Sequence, residues 1–179
     1  MPPARVEKIK ATFRLGRAAR LDREARRIEL TDGSLLEYDV VVAATGVRPR
    51  ELPGGHVRSV HVLRTFADSL GLKAALGDGK RLVVIGGGFL GLEVAATARK
   101  LGVEVTVLEP AALPLSDRLG PLVAERLLAL HTDNGVDVRC GIGAEGLITS
   151  ESPEGPFAVG VRTTAGEELP ADAVLVAIG

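Results

Sequence analysis

Three glycines and one acid carry the clearest chemistry in this sequence. Residues 81–109 read RLVVIGGGFLGLEVAATARKLGVEVTVLE. Gly86, Gly88 and Gly91 form G-x-G-x-x-G, with Phe89 and Leu90 between the last two glycines. The β-branched run 82–85 before them has the composition of a strand buried on both faces. Leu90, Val94, Ala95, Ala98 and Leu101 then recur at helical spacing, and Gly102 supplies a stop. A second β run, 103–108, ends in Glu109, 18 residues past Gly91. This pattern predicts a dinucleotide site; a glycine-rich turn in an ordinary α/β domain is the other reading. Gly86 allows the tight turn out of the strand, Gly88 lets a pyrophosphate approach the backbone, and Gly91 lets the helix pack against the sheet. The free N–H groups and positive end of the helix face the phosphates. Glu109 stands where it accepts hydrogen bonds from ribose hydroxyls and repels a 2′-phosphate, which selects NADH over NADPH. Strand, helix, second strand and terminal acid in register raise a weak motif to a strong one.

These elements sit in a chain of 179 residues, room for one sizeable core or one domain and part of another. The chain is 46% apolar and 25% charged, a globular balance. A net charge of −1 gives no general attraction to nucleic acid or anionic membrane. The single cysteine, Cys140, excludes an internal disulfide and fits a cytoplasmic location. No apolar signal core opens the sequence, and the stretch 82–98 is too short and too polar to span a bilayer.

Upstream, residues 5–38 alternate in a β manner, with short strands expected over 11–15, 19–22, 26–30 and 35–38 and an Asp-Gly turn over 31–34. A buried strand is expected over 40–44, a loop over 51–62 and a helix over 66–76. After Glu109 the pattern predicts a loop over 110–114, a helix over 121–131, and strands over 136–139, 146–150, 157–163 and 173–178.

One segment occurs twice. Residues 31–46, TDGSLLEYDVVVAATG, match residues 164–179, TAGEELPADAVLVAIG, in turn glycine, Asp, apolar strand and closing glycine. Each copy follows a stretch of short strands, and only the second follows a glycine loop and helix. The expectation is a chain that begins inside one nucleotide-binding unit and contains nearly all of a second. The fold expected is α/β: a Rossmann-like NAD(P)-binding domain with a β-meander crossover over 81–179. A linker and helix over 51–80 and a partial β-rich segment over 1–50 precede it.

On these residues the chain resembles the FAD-dependent pyridine-nucleotide oxidoreductases with two dinucleotide-binding domains. Within them it is most similar to the ferredoxin, rubredoxin and putidaredoxin reductases that serve oxygenase systems. Tyr38 with Ala44-Thr45-Gly46 and Arg48-Pro49-Arg50 looks like the exit from the FAD domain. Leu63-Arg64-Thr65 with Asp68 looks like the linker helix, 83–96 like the NAD loop and 169–179 like the second exit strand. The resemblance implies electron transfer in the complete protein from NADH through FAD to a ferredoxin- or rubredoxin-like iron–sulfur protein. It implies that Gly86, Gly88, Gly91 and Glu109 hold NADH and that Glu93 lies near nicotinamide and flavin. It also brings Arg118, Ile178 and Gly179 to the cofactor and Thr45 and Gly46 to FAD. The family's N-terminal FAD loop and C-terminal Gly-Asp segment are absent from this sequence, so the isolated chain is expected to lack a complete FAD site.

Other readings stand beside this one. The chain could be a non-catalytic nucleotide-binding module or a fragment, or part of an NADH-dependent disulfide or nitrite reductase-type flavoenzyme. No Cys-x-x-Cys is present, as a thioredoxin-reductase-like NADPH domain would carry. Glu93 sits at an apolar helix start, where burial would demand a functional reason; an exposed acid complementing the helix dipole would look the same. Arg118 reads equally as a cofactor ligand or a solvated loop residue. His56, His61, His131 and Cys140 have no metal-ligand spacing, and Cys140 reads as a small buried residue. Whether the protein forms a homodimer is open.

Overall fold

A computed structural model describes residues 11–53 and 57–178. It divides into two compact units, Met1–Gly46 and Val47–Gly179.

The first unit is an antiparallel meander of β1 (Ala18–Asp22), β2 (Arg27–Leu30) and β3 (Leu35–Glu37). Two expected strands are absent. Residues 11–15 form none. Residues 40–44 form none either, and Val40 and Val42 are 82% and 81% exposed. An apolar β-branched run becomes a strand only beside a hydrogen-bonding neighbour, and no described strand pairs with this one. Residues 5–10 and His56 lie outside the described residues.

The second unit is built on a five-stranded parallel sheet of order β4-β11-β5-β6-β7. Its strands are β4 (Val60–His61), β5 (Arg81–Ile85), β6 (Glu104–Glu109), β7 (Asp137–Cys140) and β11 (Ala173–Val176). The region 51–62, expected as loop, thus contributes an edge strand of two residues. Helix α1 (Phe66–Ala75) follows β4. Its first turn is closed by a capping box: Thr65 Oγ1 accepts from the Asp68 N–H, and Asp68 Oδ2 accepts from the Thr65 N–H at 2.7 Å. Helix α2 (Phe89–Lys100) joins β5 to β6. A four-residue helix α3 (Ser116–Leu119), absent from the sequence expectations, precedes α4 (Pro121–Asp133).

Period two sorts the sheet's side chains onto its two faces. Leu82, Val84, Val105, Val107, Ala173 and Leu175 pack with Leu72 of α1 and Leu92, Ala95 and Ala98 of α2. Val83, Ile85, Leu108 and Val174 pack on the other side against Ala158, Val161 and Leu169. Those last residues belong to a second meander, β8 (Ala144–Ser150), β9 (Phe157–Thr163) and β10 (Glu168–Pro170). The meander carries the chain from β7 back to β11. Arg81 and Asp172 pin the end of that return, just before β11: Asp172 Oδ2 accepts from the Arg81 backbone N–H at 2.9 Å and from its Nε at 3.1 Å.

The sequence repeat is a structural one at its turns. In the first meander the Leu30 N–H donates to the Ser34 carbonyl and the Gly33 N–H to the Leu30 carbonyl, both at 2.9 Å. In the second, Thr163 to Glu167 and Gly166 to Thr163 repeat both bonds at 2.9 Å. Gly33 and Gly166 have φ of 81° and 82°.

Two predictions follow from this packing. A Cβ on Gly91 would stand 2.0 Å from the Gly86 carbonyl oxygen and 3.2 Å from Val84 Cγ1. Gly91→Val therefore forces α2 off the sheet and should cost about 3 kcal/mol in urea unfolding; a loss near zero would mean that α2 is not held this closely. The second concerns pH. Burial holds the imidazoles of His131 and His61 below their ordinary pKa of 6.5. His131 Nε2 lies 3.2 Å from the Leu92 carbonyl, which can only accept, so the nitrogen donates. As pH falls below 6.5 the unfolded chain takes up protons before the folded one, so stability present above 6.5 is lost. The urea midpoint should fall between about pH 7.5 and pH 5.5, and His131→Gln should reduce that fall. An unchanged pH slope in the variant would remove His131 from the effect.

Candidate functional site

In the sheet order, the chain leaves β5 toward β6 on one side, while β11 enters on the other. This is a topological switch point, and ligands of open α/β sheets bind outside the carboxyl ends of the strands there. A cleft of about 850 Å³ occupies that place. Gly87, Gly88, Phe89 and Leu90 form its glycine-loop side, Glu109 the end of β6, and Val176 to Ile178 the end of β11.

The local geometry follows from the glycines. Ile85 accepts from the Ala177 N–H at 2.8 Å, and Gly86 donates to the Leu108 carbonyl at 2.9 Å, so three strand ends are tied together. Gly86 turns the chain out of this knot with φ 108°, and a Cβ there would meet the Ala177 oxygen at 2.8 Å. No L side chain fits. At Gly88 a Cβ would meet nothing within 4 Å, so the backbone is open to the cleft. Gly88 is also the N-cap of α2, and no side chain caps that end. Its first N–H groups are free to donate to an anion.

Glu109 is held from two sides. Its Oε2 accepts from the Gly87 N–H and its Oε1 from the Ala111 N–H, each at 2.8 Å. A carboxylate has acceptor sites beyond these two, so it can still receive ribose hydroxyls. Arg118 reaches the cleft from α3, paired with Asp117 at 3.6 Å across solvent. Arg48, Arg50 and Arg64 also line the cleft, so with Arg118 four arginines face it beside Asp117 and Glu109. The glycine loop, uncapped helix end and arginines fit a pyrophosphate, and the fixed acid fits a ribose.

Of the described residues anticipated to meet a cofactor, Gly86, Gly91, Glu93, Thr45 and Gly46 are not among those lining this cleft. Glu93 is exposed and does not line the cleft, so no burial cost argues for a function. It falls on the outer face of α2, between buried Leu92 and Val94. Thr45 and Gly46 belong to the first unit, where both are exposed. Gly179 lies outside the described residues. Cys140 is half-buried; burial and the charge of Glu109 push its thiol pKa up, the direction of an unreactive cysteine. Among the described residues no His, Cys, Asp and Glu cluster could hold a metal ion, and no helix is long and apolar enough to cross a membrane.

Sequence reasoning missed Leu113 and Leu115 on the cleft wall. Leu115 adopts φ 61°, a left-handed conformation rare for a leucine, and its carbonyl accepts from Arg118 and Leu119 to start α3. Only Pro114 beside it hinted at a bend.

The chain is similar to known proteins. Rhodocoxin reductase of Rhodococcus erythropolis is 42% identical over 162 residues, covering 89% of this chain and 37% of the relative. The ferredoxin–NAD(+) reductase component of the p-cumate 2,3-dioxygenase system of Pseudomonas putida is 41% identical, with 91% and 39% covered. The chain thus spans under two fifths of the length of these curated relatives. Among solved structures, the covalent putidaredoxin reductase–putidaredoxin complex matches with TM-score 0.80 at 39% identity, covering 91% of this chain and 40% of that one. The ferredoxin reductase for the CYP199A2 system from Rhodopseudomonas palustris matches with TM-score 0.82 at 33% identity, covering all of this chain and 44% of that one. The pyridine nucleotide-disulphide oxidoreductase family matches residues 4–179, and this chain belongs to it.

Proposed function

We propose that this chain is the NADH-binding part of an FAD-dependent, ferredoxin reductase-like oxidoreductase. The observation that carries the reading is the fixed Glu109 carboxylate facing a cleft whose floor is open backbone at Gly88. The pyrophosphate sits on the N-terminus of α2, with Arg118 supplying positive charge. Glu109 receives the adenine ribose hydroxyls and repels a 2′-phosphate. The nicotinamide end extends along Val176 to Ile178, at the end of β11. Residues 47–178 supply this domain, and the meander of the first unit belongs to the neighbouring flavin domain. The repeated turn geometry of the two meanders supports that division.

The relatives' names supply the rest of the reading: ferredoxin–NAD(+) reductase components and a reductase in complex with putidaredoxin. For the whole protein we infer the same direction of electron flow, from NADH to a small ferredoxin-like protein, in the cytoplasm. Flavin, when bound, supplies the hydride acceptor and the release of single electrons. Thr45 and Gly46, the residues expected to approach flavin, are exposed in the first unit. The chain's own contribution is to bind and orient the dinucleotide.

Glu109→Ala tests the reading. It should weaken NADH about tenfold, the equivalent of one or two charge-assisted hydrogen bonds, while leaving NADPH weakened less. Nicotinamide fluorescence titration measures both. Equal affinities before and after substitution would remove Glu109 from the site.

A further inference from the structure

The fingerprint G-x-G-x-x-G accounts for Gly86, Gly88 and Gly91. It leaves Gly87 at a position that accepts any residue, yet this chain has a third consecutive glycine there. The structure gives that glycine a task. Its N–H donates to Glu109 Oε2 at 2.8 Å. A Cβ at Gly87 would stand 3.0 Å from that same oxygen, 3.1 Å from Glu109 Cβ and 3.2 Å from Glu109 Cγ. All three contacts are tighter than ordinary van der Waals packing. Glu109 Cβ is anchored at the end of β6, so the part free to yield is the carboxylate. A side chain at 87 therefore requires the Glu109 carboxylate to give by a few tenths of an ångström, which loosens its hold on the Gly87 N–H. Gly88 differs, with nothing within 4 Å of its missing Cβ.

We propose that Gly87 is a positioning residue for cofactor selectivity: lacking a side chain and donating its N–H, it fixes the Glu109 carboxylate that discriminates NADH from NADPH. This rests on the reading of Glu109 given above. An acid at a cleft edge is free to swing into solvent, where distance and salt screen its repulsion of a 2′-phosphate. It must then be reordered to receive a ribose, which costs side-chain entropy. Clasped between the Gly87 and Ala111 N–H groups, the carboxylate is ordered before the cofactor arrives.

The test uses the 179-residue chain as wild type, Gly87→Ala, Glu109→Ala and the double variant, each titrated with NADH and NADPH. Gly87→Ala should reduce the preference for NADH at least about fivefold. In the Glu109→Ala background it should change the preference no further, because it acts through that carboxylate. A preference unchanged by Gly87→Ala overturns the proposal, as does an equal loss in the Glu109→Ala background. A wild type without preference for NADH, or a Glu109→Ala variant that keeps it, overturns instead the reading of Glu109 on which the proposal stands. Should Gly87→Ala not fold, amide hydrogen exchange decides: without cofactor, the Gly87 N–H should exchange at least about tenfold faster in Glu109→Ala than in wild type. Equal exchange overturns the clasp.

Discussion

Strand β5 has no side that faces water. Leu82 and Val84 enter one core and Val83 and Ile85 the other, and all four are buried. Helices must cover one face and the second meander the other, because a parallel strand buried on both faces is stable only between two apolar layers. The same burial leaves β5 one exit, at Gly86, in contact with the end of β11. The cleft lies at the carboxyl ends of these two paired strands, beside the glycine loop. Its position is thus a consequence of how the core is closed.

The charges of the cleft are of two kinds. Backbone N–H groups at the start of α2 and the Glu109 carboxylate lie at the strand ends, fixed by hydrogen bonds to the main chain. The arginines Arg48, Arg50, Arg64 and Arg118 line the cleft from loops and short elements, exposed to solvent, with Asp117 beside Arg118. In the proposed reading the fixed donors and the one fixed acceptor orient the cofactor, while the exposed cations add an attraction that salt screens.

Much of this was legible because residues 81–109 agree at every level: strand period, glycine spacing, helix period and terminal acid. The Asp-Gly turn was legible too, and its copy at 164–167 reproduces the same two hydrogen bonds. What failed had non-local causes. Residues 40–44 have a strand's composition, but pairing needs a neighbour that composition does not reveal. Strand β4 has only two residues, held by β11 from far along the chain. Glu93 read either as a buried acid or as an exposed one at the helix start, and it is exposed. The outer wall of the cleft joins residues near 48, 64 and 115, which no local pattern connects.

The central claim is that this cleft holds NADH and selects it over NADPH. Calorimetric titration of the chain with each dinucleotide tests it most directly. The account predicts a single site for NADH with a clear preference over NADPH. A folded sample that binds neither, or binds both alike, would contradict it.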